Sequence, residues 1–210
     1  MNFSPLNFKI KNNIKIALLG SGSIATEHAK VIKSFDHKIT LLITRKNSHR
    51  SNLFKKKFAI KNHILNMSQI KNHIKSIDVF VVAVPWYANS KVLLKLTKYN
   101  KPILIEKPII FSLYNINKFK SLSKNFQEKI HISYNRNFYD FVPILINYLK
   151  KNKEFLIVAN LSDTYKGIIN KRGKKIKKYL LEYITSHWIC FLFMLSKNLN
   201  MKLKIISRYN

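Results

Sequence analysis

The residues best suited to chemistry near the start of the chain are Gly20-Ser21-Gly22-Ser23-Ile24-Ala25, a G-x-G-x-x-A run. Such a run binds pyrophosphate when it joins a strand to a helix. The first glycine makes a tight turn, the second lets a phosphate approach the main chain, and the small Ala25 lets the helix lie close to the strand. The helix N-terminus then offers unpaired N–H groups and the positive end of the helix dipole. The flanks suit this role. Residues 14–19 (IKIALL) read as a short buried strand. Residues 23–35 read as a helix with Ile24, Val31 and Ile32 on or near one apolar face. Gly20, Gly22, Ser23, Ile24 and Ala25 are therefore candidate contacts of a dinucleotide.

The end of the second strand selects between the two nicotinamide dinucleotides. An acid there binds the 2′-hydroxyl of NAD, whereas a basic residue tolerates the 2′-phosphate of NADP. This chain has Thr44-Arg45-Lys46 and no acid nearby. Thr44 and Arg45 are expected at a 2′-phosphate, and NADP is slightly favoured over NAD.

The elements that must position these residues alternate. Strands are expected at 14–19, 38–43, 57–60, 77–84, 102–105 and 129–133, and helices at 23–35, 47–57, 67–75, 88–98 and 112–124. The run IDVFVVAV at 77–84 is nearly all apolar, as a parallel strand covered on both faces requires. Val92, Leu93 and Leu96 form the inner face of the helix that follows. This alternation predicts an α/β fold, a Rossmann-type doubly wound parallel sheet over residues 14–134, after a leader at 1–13. From 135 to 210 the rhythm changes to a partial α+β domain. Helices are expected at 138–150, despite Pro143, and at 183–196, with strands at 154–161 and 201–208 and a basic stretch at 166–178.

Composition narrows the alternatives. The chain carries 39 Lys and Arg against 9 Asp and Glu, a net charge of +30. A phosphate-binding surface would cluster its charge on one face and use arginine for bidentate contacts. Here the basic residues are spread along the chain and only five are arginine. The lysine excess, beside abundant Asn and Ile, is what AT-rich codon usage produces. A nucleic-acid module has only the charge behind it, so no specific nucleic acid is expected. The longest apolar runs fall far short of the ~20 residues a spanning helix needs, so no membrane is expected. The single cysteine, Cys190, excludes an internal disulfide framework and fits a cytoplasmic protein. No metal is expected.

Further along stand Ala83-Val84-Pro85 at one strand end and Glu106-Lys107-Pro108 at the next. With the glycine turn, in this order, they resemble the Gfo/Idh/MocA family of NAD(P)-dependent oxidoreductases. The resemblance continues through Ser133-Tyr134-Asn135-Arg136-Asn137-Phe138 and Ser186-His187-Trp188 and covers most of residues 14–197. It implies hydride transfer between a nicotinamide cofactor and a hydroxyl or carbonyl of a sugar-like substrate. Lys107 would contact the substrate hydroxyl, and His187 would be the general acid/base, a task suited to an imidazole. Pro85 and Glu106 would join the cofactor-binding residues, and Lys107–Pro108 is a candidate cis peptide.

The pattern also departs from the family. Many members place an aspartate four residues before the histidine and another three after it, where this chain has Tyr183 and Cys190. The family's usual histidine after the A-x-P strand corresponds to Asn89. Only Met201 to Arg208 remains after the last helix for the family's broad antiparallel sheet, so the resemblance implies a C-terminally truncated member. The alternative reading is a non-catalytic or degenerate dinucleotide-binding protein, and a homo-oligomer stays open.

Overall fold

The computed structural model describes residues 13–109, 113–152, 169–170 and 185–202. Two compact units divide the chain, Lys9–Ser133 and a second that begins at Tyr134.

The first unit is built on six strands: β1 (Lys15–Leu19), β2 (Lys38–Ile43), β3 (Asn62–Ile64), β4 (Val79–Val82), β5 (Ile103–Ile105) and β6 (Ile130–Ile132). They lie in the order β3-β2-β1-β4-β5-β6, all parallel. Both faces are covered, which explains the unbroken apolar runs of the central strands. One face packs Ile16, Leu18, Leu42 and Val81 against α1 (Ser23–Ser34) and α2 (His49–Lys57) through Ala25, Ala29, Ile32 and Phe54. The other packs Leu19, Ile43, Phe80, Val82 and Ile105 against α3 (Asn89–Leu96) and α5 (Lys124–Gln127) through Leu93, Leu96 and Phe126. Between them in the chain lies α4 (Leu113–Lys120). Each fully buried Leu, Ile or Phe contributes about 1.5–3 kcal/mol to this sandwich.

The register places Ile64, Ile43, Leu19, Val82, Ile105 and Ile132 in one row at the carboxyl ends of the strands. The segments leaving that row therefore share one edge. Strand order reverses between β1 and β4, and the chain leaves those two strands towards opposite faces. In an open α/β sheet this is where ligands bind.

Several expected elements are corrected. The third strand is Asn62–Ile64, not 57–60. The apolar residues Phe58 and Ile60 instead close α2: Ala59 turns left-handed (φ 52°), Ile60 N–H donates back to the Lys55 carbonyl, and Ile60 is buried. The segment from 67 to 75 is two tight 3-10 turns, Met67–Asn72 and Ile74–Ser76, not an α-helix. The long helix expected at 112–124 is divided. Ser123 starts α5 by accepting from Phe126 N–H, which inserts Phe126 into the core. In α1 the buried residues are Ala25, Ala29 and Ile32, whereas Ile24 and Val31 are 43% and 55% exposed. The helix sits so close to the sheet that its inner stripe needs alanine, and the larger side chains lie at its rim.

In the second unit a 3-10 turn (Asn135–Phe138) leads to α6 (Phe141–Lys151). Pro143 lies in the first turn of α6, where its missing N–H breaks no helical bond. Val142 and Ile146 pack on Phe191 and Leu195 of α7 (Ser186–Asn198). The expected strand at 154–161 and residues 203–208 of the final one lie outside the described residues, as does most of the basic stretch. Among the described residues no helix is long and apolar enough to cross a membrane, and no cluster of His, Cys, Asp and Glu could hold a metal ion.

Candidate functional site

The glycine turn follows β1 at the point where strand order reverses. Gly20 has φ +111°, and a Cβ on it would stand 2.3 Å from the Ala83 carbonyl oxygen. No side chain fits there, and the backbone conformation disfavours one independently. Gly20 N–H donates to the Ile43 carbonyl at 2.9 Å, and Ala83 N–H to that of Leu19 at 2.9 Å. The turn is thus wedged between the ends of β2 and β4. Gly22 is the N-cap of α1, with extended backbone and no side-chain cap. The first N–H groups of that helix, on Ser23, Ile24 and Ala25, point from its start without a side chain to accept them. Thr26 N–H makes the first helical bond, to Gly22. At Gly22 a Cβ would meet only the Arg50 Nη2 group, at an ordinary 3.6 Å. The protein itself does not forbid a small side chain there.

At the end of β2, Thr44 is half-buried and Arg45 and Lys46 are exposed. The Thr44 hydroxyl lies 2.7 Å from His63 Nε2 and 3.0 Å from the Lys46 carbonyl. A neutral His63 with its proton on Nε2 donates to Thr44, which donates onward to Lys46. Burial lowers the His63 pKa below its ordinary 6.5, and the charge of Lys55 lowers it further.

The strand end at Glu106-Lys107-Pro108 is held by side chains. Asn89, the first residue of α3, is fully buried. Its Nδ2 donates to the carbonyls of Glu106 (2.8 Å) and Pro108 (3.1 Å), one on each side of Lys107. The Lys107–Pro108 peptide is cis. Glu106 Oε1 lies 2.7 Å from Nε2 of His28 on α1, and both side chains are about a fifth exposed. This pair fastens the helix of the glycine turn to the end of β5. Pro85 begins the 3-10 turn Trp86–Ala88 after β4 and accepts a 2.8 Å bond from Ala88 N–H. Gly20–Ala25, Thr44, Pro85, Glu106 and Lys107 therefore share the carboxyl edge of one sheet.

In the second unit His187 is the second residue of α7, its ring edge-on to Tyr134 at 5.8 Å between centroids. The Arg136 guanidinium lies 3.9 Å over the Trp188 ring. Asn137 Nδ2 donates to the Cys190 sulfur at 3.4 Å. The phenol of Tyr134 has its pKa raised above 10, chiefly by burial and then by Cys190, against a hydrogen bond with Ser186. Tyr183 lies outside the described residues.

Comparison with known families matches residues 14–134 to the oxidoreductase family with an NAD-binding Rossmann fold, GFO_IDH_MocA. The chain belongs to the Gfo/Idh/MocA oxidoreductase family. Solved structures with this fold include the WlbA dehydrogenase from Thermus thermophilus, in complex with NAD and UDP-GlcNAcA. It is 16% identical with a TM-score of 0.64, over 87% of this chain and 62% of that one. The scyllo-inositol dehydrogenase from Lactobacillus casei, with NAD(H) and scyllo-inositol, is 18% identical with a TM-score of 0.54, over 67% and 40%. GenD2 from gentamicin A biosynthesis, in complex with NAD, is 14% identical with a TM-score of 0.56, over 68% and 40%. The chain thus spans 40% to 62% of the length of these family structures. No curated protein matches the sequence.

Two members of this edge escaped the sequence reading. His28 stands in the helix after the glycine turn, but nothing in the sequence pairs it with an acid 78 residues later. Asn89 reads in sequence only as the place where the family's usual histidine is missing; in space its amide fastens both flanks of Lys107.

Proposed function

We propose that this chain binds a nicotinamide dinucleotide across the β1/β4 crevice and serves an oxidoreductase acting on a hydroxyl or carbonyl of a sugar-like substrate. The observation that carries this reading is the glycine turn. Its tight backbone and the uncapped start of α1 make a cradle of N–H groups suited to pyrophosphate. Residues 14–134 form the dinucleotide domain and 135–210 part of a substrate domain. Thr44-Arg45-Lys46, with no acid, favours NADP over NAD. The Thr44 hydroxyl already bonds His63 and Lys46, so Arg45 is the stronger candidate for a 2′-phosphate.

When bound, the cofactor supplies or accepts the hydride. The ammonium of Lys107 holds the substrate oxygen and stabilises negative charge on it as the O–H bond breaks. In the second unit the family resemblance makes the imidazole of His187 the candidate general acid/base, a group able to take a proton in oxidation and return it in reduction. Inositol and a nucleotide sugar, named with two of the related structures, support a polyol or sugar substrate.

A second reading is a dinucleotide-binding protein without turnover. Cys190 favours it: where the family commonly has an aspartate, this chain has a thiol bonded by Asn137. Titration with NADH and NADPH, followed by turnover on a panel of sugars and inositols, separates the readings. The enzyme reading expects binding and turnover, with turnover lost in Lys107→Ala while binding persists. Binding without turnover selects the second reading, and failure to bind either dinucleotide sinks both.

A further inference from the structure

We propose that the outer face of α6 is an interface between two copies of this chain, packed antiparallel about a two-fold axis. Among the described residues fourteen large apolar side chains are exposed, and seven of them lie in the second unit. Three of these seven stand on α6 at a spacing of four and three: Phe141, Ile144 and Tyr148, with exposures of 49%, 71% and 64%. That spacing lines them up in one stripe. Tyr139, also exposed, brings its ring within 6.0 Å of the Phe141 ring and widens the patch. The inner stripe of the same helix, Val142, Ile146 and Leu149, is buried, with Val142 and Ile146 packed on Phe191 and Leu195 of α7. α6 is therefore apolar on two faces and covered on one. A helix apolar nearly all round belongs in an interior, and its uncovered face marks an interaction site.

The charges at the two ends of the stripe fit a second copy. Asp140, one of nine acidic residues in the chain, precedes it, and Lys151 continues it three residues past Tyr148. Both are exposed, and among the described residues neither pairs with an opposite charge of its own chain. A two-fold axis crossing α6 level with Ile146 sets Ile144 against Tyr148 of the second copy, and Tyr148 against its Ile144. The same register brings Phe141 to the Lys151 stem and Asp140 beside the Lys151 ammonium, twice in each dimer. Parallel pairing would instead oppose Asp140 to Asp140 and Lys151 to Lys151. Two chains of net charge +30 repel each other, so opposite charges must meet where the copies touch. The 11 residues of α6 span only about 16 Å. The patch is thus smaller than the ~800 Å² per partner of a stable interface, and the dimer is weak, with a dissociation constant of about 1–100 μM.

The test is sedimentation equilibrium of the full chain from about 1 to 300 μM, at low salt and again at physiological salt. The wild type is expected to pass from monomer to dimer across that range. Ile144→Glu, at an exposed position, should melt near the wild-type temperature and weaken dimerisation by about tenfold or more. Asp140→Lys and Lys151→Asp should each weaken it several-fold at low salt, because like charges then face each other twice. An equimolar mixture of these two variants should dimerise more tightly than either alone, since each supplies the sign the other has lost. A purely structural role for either residue within its own chain would not produce that rescue. A wild type that stays monomeric throughout overturns the proposal and leaves the stripe to a different occupant. A dimer undiminished by Ile144→Glu overturns it by placing the interface elsewhere. A mixture no tighter than its components overturns the antiparallel pairing on which it rests. Should Ile144→Glu fail to fold, the mixture of the two charge variants decides alone.

Discussion

The glycine turn and the Glu106-Lys107-Pro108 strand end sit on the same sheet edge but are held by different means. The turn is fixed by backbone against backbone: Gly20 presses on the Ala83 carbonyl and bonds to Ile43. The strand end is fixed by side chains from elsewhere, Asn89 below it and His28 beside Glu106. A backbone constraint of the first kind leaves one residue type open and so marks the sequence. A side-chain constraint can be met by several residue types, and its partners are distant in the chain. The first kind is therefore rigid under mutation, and the second is adjustable.

The largest effect should come from breaking the backbone contact. In Gly20→Ala the new Cβ would stand 2.3 Å from the Ala83 oxygen at a φ of +111°. β1 and β4 must move apart or the turn must rebuild, at a cost of about 3 kcal/mol or more. Thermal melting should fall by many degrees, and dinucleotide binding should vanish. Gly22→Ala sharpens the contrast, because its Cβ meets only the end of the flexible Arg50 side chain. Its apo stability should drop by no more than about 1 kcal/mol, the cost of an alanine N-cap. If Gly22 keeps the backbone open for a phosphate, this variant loses dinucleotide affinity far beyond its loss of stability. Equal melting losses in the two variants would show that the turn is not distinguished by the Ala83 contact.

An intermediate effect is expected from the side-chain clamp. Asn89→Ala removes a fully buried amide and leaves the buried carbonyl of Pro108 and the part-buried carbonyl of Glu106 without their shared donor. The cost should be about 2 kcal/mol, the usual penalty for stranding buried polar groups. Urea denaturation measures it. Dinucleotide binding should survive better than in Gly20→Ala, since the turn keeps its own contacts. A variant as stable as wild type would mean that the amide does not hold the strand end.

The same division explains how much could be read in advance. The parallel sheet was legible because strands buried on both faces must be apolar throughout, as in IALL and VFVV. The glycine turn was legible because Gly20 has no substitute. The third strand was misplaced because Phe58 and Ile60 look like strand residues, although their burial serves the end of α2. β3 itself reads Asn-His-Ile, with Asn62 bonded through its side chain to the Thr40 carbonyl, a pattern no hydrophobic period reveals. The apolar periodicity puts Ile24 and Val31 on or near the inner face of α1, whereas the close approach of helix and sheet selects Ala25 and Ala29. Asn89 and His28 act through contacts 17 to 78 residues away, and sequence spacing carries no trace of them.

The smallest effect separates a third kind of strand end, tuned by charge. At the end of β2 the Thr44 hydroxyl is joined to His63, whose pKa burial and Lys55 hold below 6.5. The sign follows from that direction. Above about pH 6.5 the imidazole is neutral in folded and unfolded chains alike, and its contribution to stability is complete. As pH falls, the unfolded chain takes up the proton first, so stability is lost between that value and the lower folded pKa. His63→Gln keeps a group able to bond Thr44 but removes the titration. Between pH 7.5 and about pH 5 the wild type should lose slightly more melting temperature than His63→Gln, and Lys55→Gln should narrow the gap. The backbone-wedged turn predicts no such window for Gly20→Ala, whose deficit should stay constant across the same range. A melting difference between wild type and His63→Gln that is flat with pH would remove charge from the account of this strand end and leave only its hydrogen bond.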